Sequence, residues 1–164
     1  MSEPIAPILV LAIGNPSRGD DAVGPILGER LMQWRREQPP LIANQLDVIA
    51  EQQLMVEHLL DMQGRQHILF IDAAASGVEG HRLAPILPSP PPPLPGHACH
   101  PGELLGLYRQ TFDTPPPATL LAIEGQQFEL GQALSESTVR HMDAGWLSLL
   151  QCLSELLGMP SPCA

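Results

Sequence analysis

Three places along this chain gather side chains able to hold a cation or move a proton. The first is the paired acid Asp20-Asp21, which closes the loop Gly14-Asn15-Pro16-Ser17-Arg18-Gly19-Asp20-Asp21. The second is Asp72, at the end of the apolar run HILFID (67–72). The third is His97-Ala98-Cys99-His100, two imidazoles and a thiol clustered in a chain that holds six His and three Cys. Carboxylates gathered in one crevice repel one another unless a cation or a proton intervenes. Carboxylate and imidazole together suit a divalent transition ion such as zinc or nickel, with positions left open for water or substrate.

Each of these residues also has a plain structural use. Asp20 or Asp21 can cap the helix that follows the loop, a role that fits Asp20 better than Asp21. An acid ending a buried strand has no such simple use, which favours a site role for Asp72. His100 adjoins a helix start and is the better anchored of the two loop histidines, whereas His97 reads as a solvated loop residue. Cys99 reads as a small buried hydrophobe rather than a ligand. His58, His67, His81 and His141 fall in helix or strand contexts and carry no signal. Ser17 has no base nearby in the pattern, and no Ser-His-Asp or Cys-His arrangement is visible. The glycine-rich loop lacks the Lys-Ser/Thr of a P-loop, and the acids at its end would repel phosphate.

The elements that must position these residues follow from periodicity. The run PILVLAI (7–13) is apolar on both faces, as a strand inside a parallel sheet must be. A helix is predicted from about Asp21 or Ala22, with Val23, Leu27, Leu31 and Trp34 on one face and Pro25 tolerated in the first turn. LIANQL (41–46) is predicted as a short strand and 50–62 as a helix with Ala50, Leu54 and Met62 on its apolar side. HILFID is a second buried strand, and His81 to Leu87 an edge strand or hairpin arm. PSPPPPLP (88–95) reads as a stiff extended loop. A short helix is expected over 102–112, a buried strand over 118–123, and a strongly amphipathic helix from about Thr138 to Leu157. The order of these elements specifies a parallel sheet covered by helices on both faces. Ligands of such sheets bind at the carboxyl ends of the strands, where Asp21 and Asp72 both fall.

Composition narrows the function classes. The chain is 164 residues, 44% hydrophobic and 16% charged, which fits a single domain over 1–164 with a sizeable core. The net charge of −10, with every basic residue an Arg, argues against nucleic acid and anionic membranes as partners. No apolar run reaches the ~20 residues of a membrane span. The start MSEPIAPILVLAIGNP lacks the basic region of a signal peptide. Cys99, Cys152 and Cys163 are odd in number and show no CxxC spacing, so a reducing cytoplasm is the expected setting.

ILVLAIGNPSRGDDAVG closely resembles the opening of the hydrogenase maturation endopeptidases: an apolar strand, G-[IV]-G-N, a few variable residues, then D-[DE]-G/A-[VI]-G. Two further matches follow in order, Phe70-Ile71-Asp72-Ala73 and the His100 of CHPGELLGL, so the resemblance runs from residue 8 to about 157. It implies a three-layer α/β/α sandwich with a mainly parallel five-stranded sheet. It also implies a metal site made of Asp21, Asp72 and His100, engaging nickel carried by the substrate, with another divalent metal conceivable in the isolated protein. The expected activity is removal of the C-terminal extension of a [NiFe]-hydrogenase large-subunit precursor after nickel insertion, which needs only a monomer.

The chain departs from the family where many members carry D-G-G-T, having Gln45-Leu46-Asp47-Val48-Ile49-Ala50-Glu51 instead. That version, with the C-H-P segment and GQQFELGQALS (125–135), is more similar to the branch serving NAD-reducing, bidirectional hydrogenases. Asp20, His97 and Glu103 are candidate bases. Two alternatives stand beside the peptidase: a nickel-checking chaperone of the large subunit that does not cut, and an esterase similar to the peptidyl-tRNA hydrolases. The latter family shares the G-N-P opening but follows it with a catalytic His, where this chain has Asp20-Asp21.

Overall fold

A computed structural model of the chain describes residues 4–91 and 98–161. His97, Cys163 and residues 92–95 of the proline-rich stretch predicted as an extended loop lie outside the described residues. In chain order the elements are β1 (Ile8–Ile13), a single 3-10 turn (Gly19–Ala22), α1 (Val23–Arg36), α2 (Pro40–Ala43), β2 (Leu46–Glu51) and α3 (His58–Met62). They continue with β3 (His67–Ala74), β4 (His81–Ile86), α4 (Pro101–Thr111), β5 (Ala118–Glu124) and α5 (Glu136–Leu157).

The strands form one five-stranded sheet in the order β2-β1-β3-β5-β4. All pairings are parallel except β4 with β5, so β4 is an antiparallel edge strand. Every residue of β1 is buried, as its unbroken apolar run requires. Alternation of side chains divides the core into two layers. Val10, Leu69 and Leu121 face α1 and α5 through Leu27, Leu31 and Leu149. Leu11, Ile68 and Phe70 face α3 and α4 through Leu59, Met62 and Leu104. The result is the expected α/β/α sandwich.

Residues 40–62 depart from the sequence reading. The 41–46 segment is not a strand: Pro40 stands at the first position of the one-turn helix α2, where its fixed φ starts a helix at no hydrogen-bond cost. The strand comes later, over Leu46–Glu51, and its signal is a period of two: Val48 packs on one core layer and Ile49 on the other. The predicted helix over 50–62 shrinks to the five residues of α3. Ala50 belongs to β2 and is exposed, so its four-residue spacing to Leu54 was coincidental. The other strands lie where expected, although β3 runs two residues past Asp72, through Ala73 and Ala74, which pair with Ile123 and Glu124.

Candidate functional site

Connections leave β1 toward β2 on one side and β3 toward β4, beyond β5, on the other, so a crevice opens at the carboxyl ends of β1 and β3. That crevice receives Asp21 from the loop after β1 and Asp72 from β3. The β1–β3 pairing ends at Ala12 and Ile71, one residue short of Asp72, which frees its β1-facing side for the loop.

Asp21 is placed by backbone close-packing. Gly14 has a φ of 151°, and any side chain there would run into the carbonyl oxygen of Asp21; one at Gly24 would run into that of Ile13. These two glycines let the 3-10 turn sit flush on the end of β1. Asp21 Oδ2 then accepts the Asn15 N–H at 2.7 Å, which fixes the carboxylate and leaves Oδ1 with no hydrogen bond among the described residues.

Asp72 is half-buried, and its Oδ1 accepts the N–H of Ala73 at 2.8 Å. Burial pushes its carboxyl up to about 6. The Ala73 N–H opposes that rise, the Asp21 charge adds to it, and His100 pulls the other way. Asp72 therefore has both Asp21 and His100 as electrostatic neighbours, although the three come from separate parts of the chain.

His100 stands at the cap position of α4, ahead of Pro101. Its backbone N–H donates to Glu103 Oε2 at 2.8 Å, so Glu103 is engaged in holding the histidine in place. His100 and Asp72 line one cleft of about 500 Å³, together with Ala73, Ala122, Leu120 and Leu87. Among the described residues no group of three or more His, Cys, Asp or Glu side chains is placed to hold a metal ion, so Asp21, Asp72 and His100 do not form a ready-made metal site. The donor types nonetheless fit a borderline divalent ion. Among the described residues Asp21 and Asp72 each keep one carboxylate oxygen without a hydrogen bond, and the desolvated Asp72 gains most from a nearby cation.

Asp20 does something else. It is fully buried and accepts four hydrogen bonds, from the N–H groups of Gln126, Gln127 and Ser135 and from Ser135 Oγ, at 2.7–3.0 Å. Burial by itself raises its carboxyl, but the backbone donors of Gln126, Ser135 and Gln127 outweigh that and hold it below the ordinary carboxylate value. With its acceptors filled and no access to solvent, Asp20 is an anchor rather than a base, and it caps no helix of its own.

The anchor ties residues 125–135 to the loop that carries Asp21. Arg18 Nε donates to the Phe128 carbonyl at 3.1 Å and Gly131 N to that of Ser17 at 2.8 Å, which adds to the clasp. The paired acids gave no hint of this division of labour, because every hydrogen-bond partner of the Asp20 carboxylate lies more than a hundred residues away. Cys99 packs in the α4-side core as a small hydrophobe, its thiol pushed up by burial and by Glu103 and Glu57. His58 and His67 are occupied structurally, by Met55 and Thr119.

No family profile and no curated protein sequence matches the chain. Solved structures do. The hydrogenase-maturating endopeptidase HybD from E. coli superposes with a TM-score of 0.68 at 22% identity, over 91% of this chain and 93% of that one. The [NiFe] hydrogenase maturation protease HycI from Thermococcus kodakarensis KOD1 gives 0.62 at 18% identity, over 93% of both chains. A solution structure of an endopeptidase from E. coli gives 0.67 at 21% identity, over 91% of this chain and 93% of that one. The chain thus has the fold found in hydrogenase maturation endopeptidases, over nearly its whole length.

Proposed function

We propose that this protein is an endopeptidase of hydrogenase maturation, which removes the C-terminal extension of a [NiFe]-hydrogenase large-subunit precursor once nickel is in place. The observation that carries this reading is that Asp72 shares a cleft with His100 and lies within electrostatic reach of Asp21, on a fold found in proteins of that activity. The acids are fixed by Asn15 and Ala73, and the backbone of His100 by Glu103, so the segments carrying all three are set before substrate arrives. Nickel reaches the crevice as part of the substrate, and the open carboxylate oxygens with His100 complete its surroundings. An empty precursor would offer these residues no cation, which makes cutting conditional on loading. Hydrolysis adds water across the scissile amide, and a cation beside the carbonyl supplies the electrophilic assistance.

Deleting the gene tests this in cells. The large subunit should remain at precursor mass in the deletion strain and return to mature mass with the native gene. Complementation with Asp21→Ala, Asp72→Ala or His100→Ala, each present at native abundance by immunoblot, should leave the precursor uncut. Normal processing in the deletion strain sinks the reading.

A further inference from the structure

Beyond the cleft beside Asp72, the same face of the sheet continues across β5 to the edge strand. In the sheet, Asp72 of β3 pairs with Ala122 of β5, and Ala122 pairs in turn with Arg82 of the edge strand β4. Paired residues project from the same face, so Asp72, Ala122 and Arg82 form one row on the α4 side. The row behind it, toward the opposite end of β5, holds Leu120 and Ala84. Among the described residues this part of the face is thinly covered: Leu120, Ala84 and Ile86 are only half-buried, and Leu87 on the adjoining wall is 79% exposed. The opposite face of the same strands is sealed by α5, where Leu121, Ile123 and Leu149 are buried.

Arg82 is the chemically unusual member of the row. On a chain of net charge −10, Arg30 is paired with Asp143, and Arg35 and Arg65 share Asp47. Arg18 is bound to a backbone carbonyl. Arg82 is exposed and has no hydrogen bond or ion pair among the described residues, and the described strands contain no other arginine.

We infer that the face from Ala122 out to Arg82 is a subsite for an extended peptide segment bearing a carboxylate, with Arg82 as the residue that binds that carboxylate. This rests on the peptidase reading above and names the part of the precursor tail the enzyme selects. Two strand spacings separate Asp72 from Arg82, roughly 10 Å. An extended chain covers that in about three residues. The carboxylate therefore lies about three residues from the peptide bond placed at Asp72. Small or β-branched side chains fit between them, because Ala122 leaves a shallow floor and Leu120, Ile86 and Leu87 offer apolar walls. A guanidinium fork matches a carboxylate with two parallel hydrogen bonds.

The test is binding of short peptides to isotope-labelled full-length protein by NMR titration. The probes are acetyl-Ala-Val-Ala-Ala-Glu-Ala-amide, its Gln counterpart, and acetyl-Ala-Val-Ala-Ala with a free carboxyl end, which separates a side-chain acid from a chain terminus. Shifts should cluster at Ala84, Ala122 and Leu87. At least one acidic probe should bind about tenfold or more tighter than the Gln peptide. Arg82→Gln should erase that preference without altering the spectrum elsewhere. Equal affinity for acidic and neutral probes, no binding of any probe, or a preference that survives in Arg82→Gln overturns the inference. Binding is read without cleavage, so a peptide preference at Arg82 and normal processing in the deletion strain would be separately visible.

Discussion

Two adjacent aspartates in one loop have opposite fates, and their surroundings explain why. Asp20 is buried and saturated with donors, so its ionised form is stabilised by the fold. Its folded pKa is depressed, so the stability it provides is fully present above the ordinary value of 3.8 and is lost as pH falls through the folded one. Asp20→Ala should cost about 2–4 kcal/mol in urea denaturation at pH 7, because four donors lose their acceptor.

Asp72 behaves in the reverse sense. Its carboxyl is raised to about 6, so the fold favours the protonated acid and loses stability as pH rises from about 4 to 6. In metal-free protein, Asp72→Asn should therefore gain about 1–3 kcal/mol at pH 7.5, with the advantage gone below pH 4. Carboxyl carbon NMR should show one aspartate titrating near 6; its absence would remove the electrostatic argument for a cation at this position. A residue that weakens the fold at working pH is better explained by function than by architecture.

At the scale of elements, the placement of Asp21 depends on how closely a turn can approach a strand. Gly14→Ala must put a β-carbon into the Asp21 carbonyl at a φ that only glycine adopts easily. The expected result is a loss of at least about 2 kcal/mol, together with loss of processing. Retention of both by Gly14→Ala would show that the turn need not sit flush on β1.

Much of this level was legible beforehand, because long periodic runs announce themselves. β1, β3, β5 and α5 were visible as buried or amphipathic patterns, and His100 fell at a helix start as expected. The middle of the chain was misread where patterns are short: β2 alternates over only six residues, and the apolar residues of 41–46 that read as a strand mostly belong to the one-turn helix α2 that Pro40 begins. Ala73 and Ala74, which prolong β3, carry too little hydrophobic signal to mark a strand end.

At the scale of the molecule, strand order is what turns separate motifs into a site. The sequence places Asp21 and Asp72 at strand tips, but only the order β2-β1-β3-β5-β4 makes those tips neighbours. The same order sets Arg82 in line with Asp72, a relation between residues on non-adjacent strands that no local pattern encodes. The clasp between the Asp21 loop and residues 125–135 was hidden for the same reason, since its hydrogen bonds join opposite ends of the chain.

The central claim concerns that assembled crevice, and intact-mass spectrometry of a nickel-loaded large-subunit precursor mixed with purified protein tests it most directly. Native protein should release a C-terminal peptide. Asp72→Ala, folded by circular dichroism, should slow that release by about a hundredfold or more. A precursor that stays whole in a stable complex with native protein, or is cut at native rate by the Asp21, Asp72 and His100 variants alike, would contradict the account.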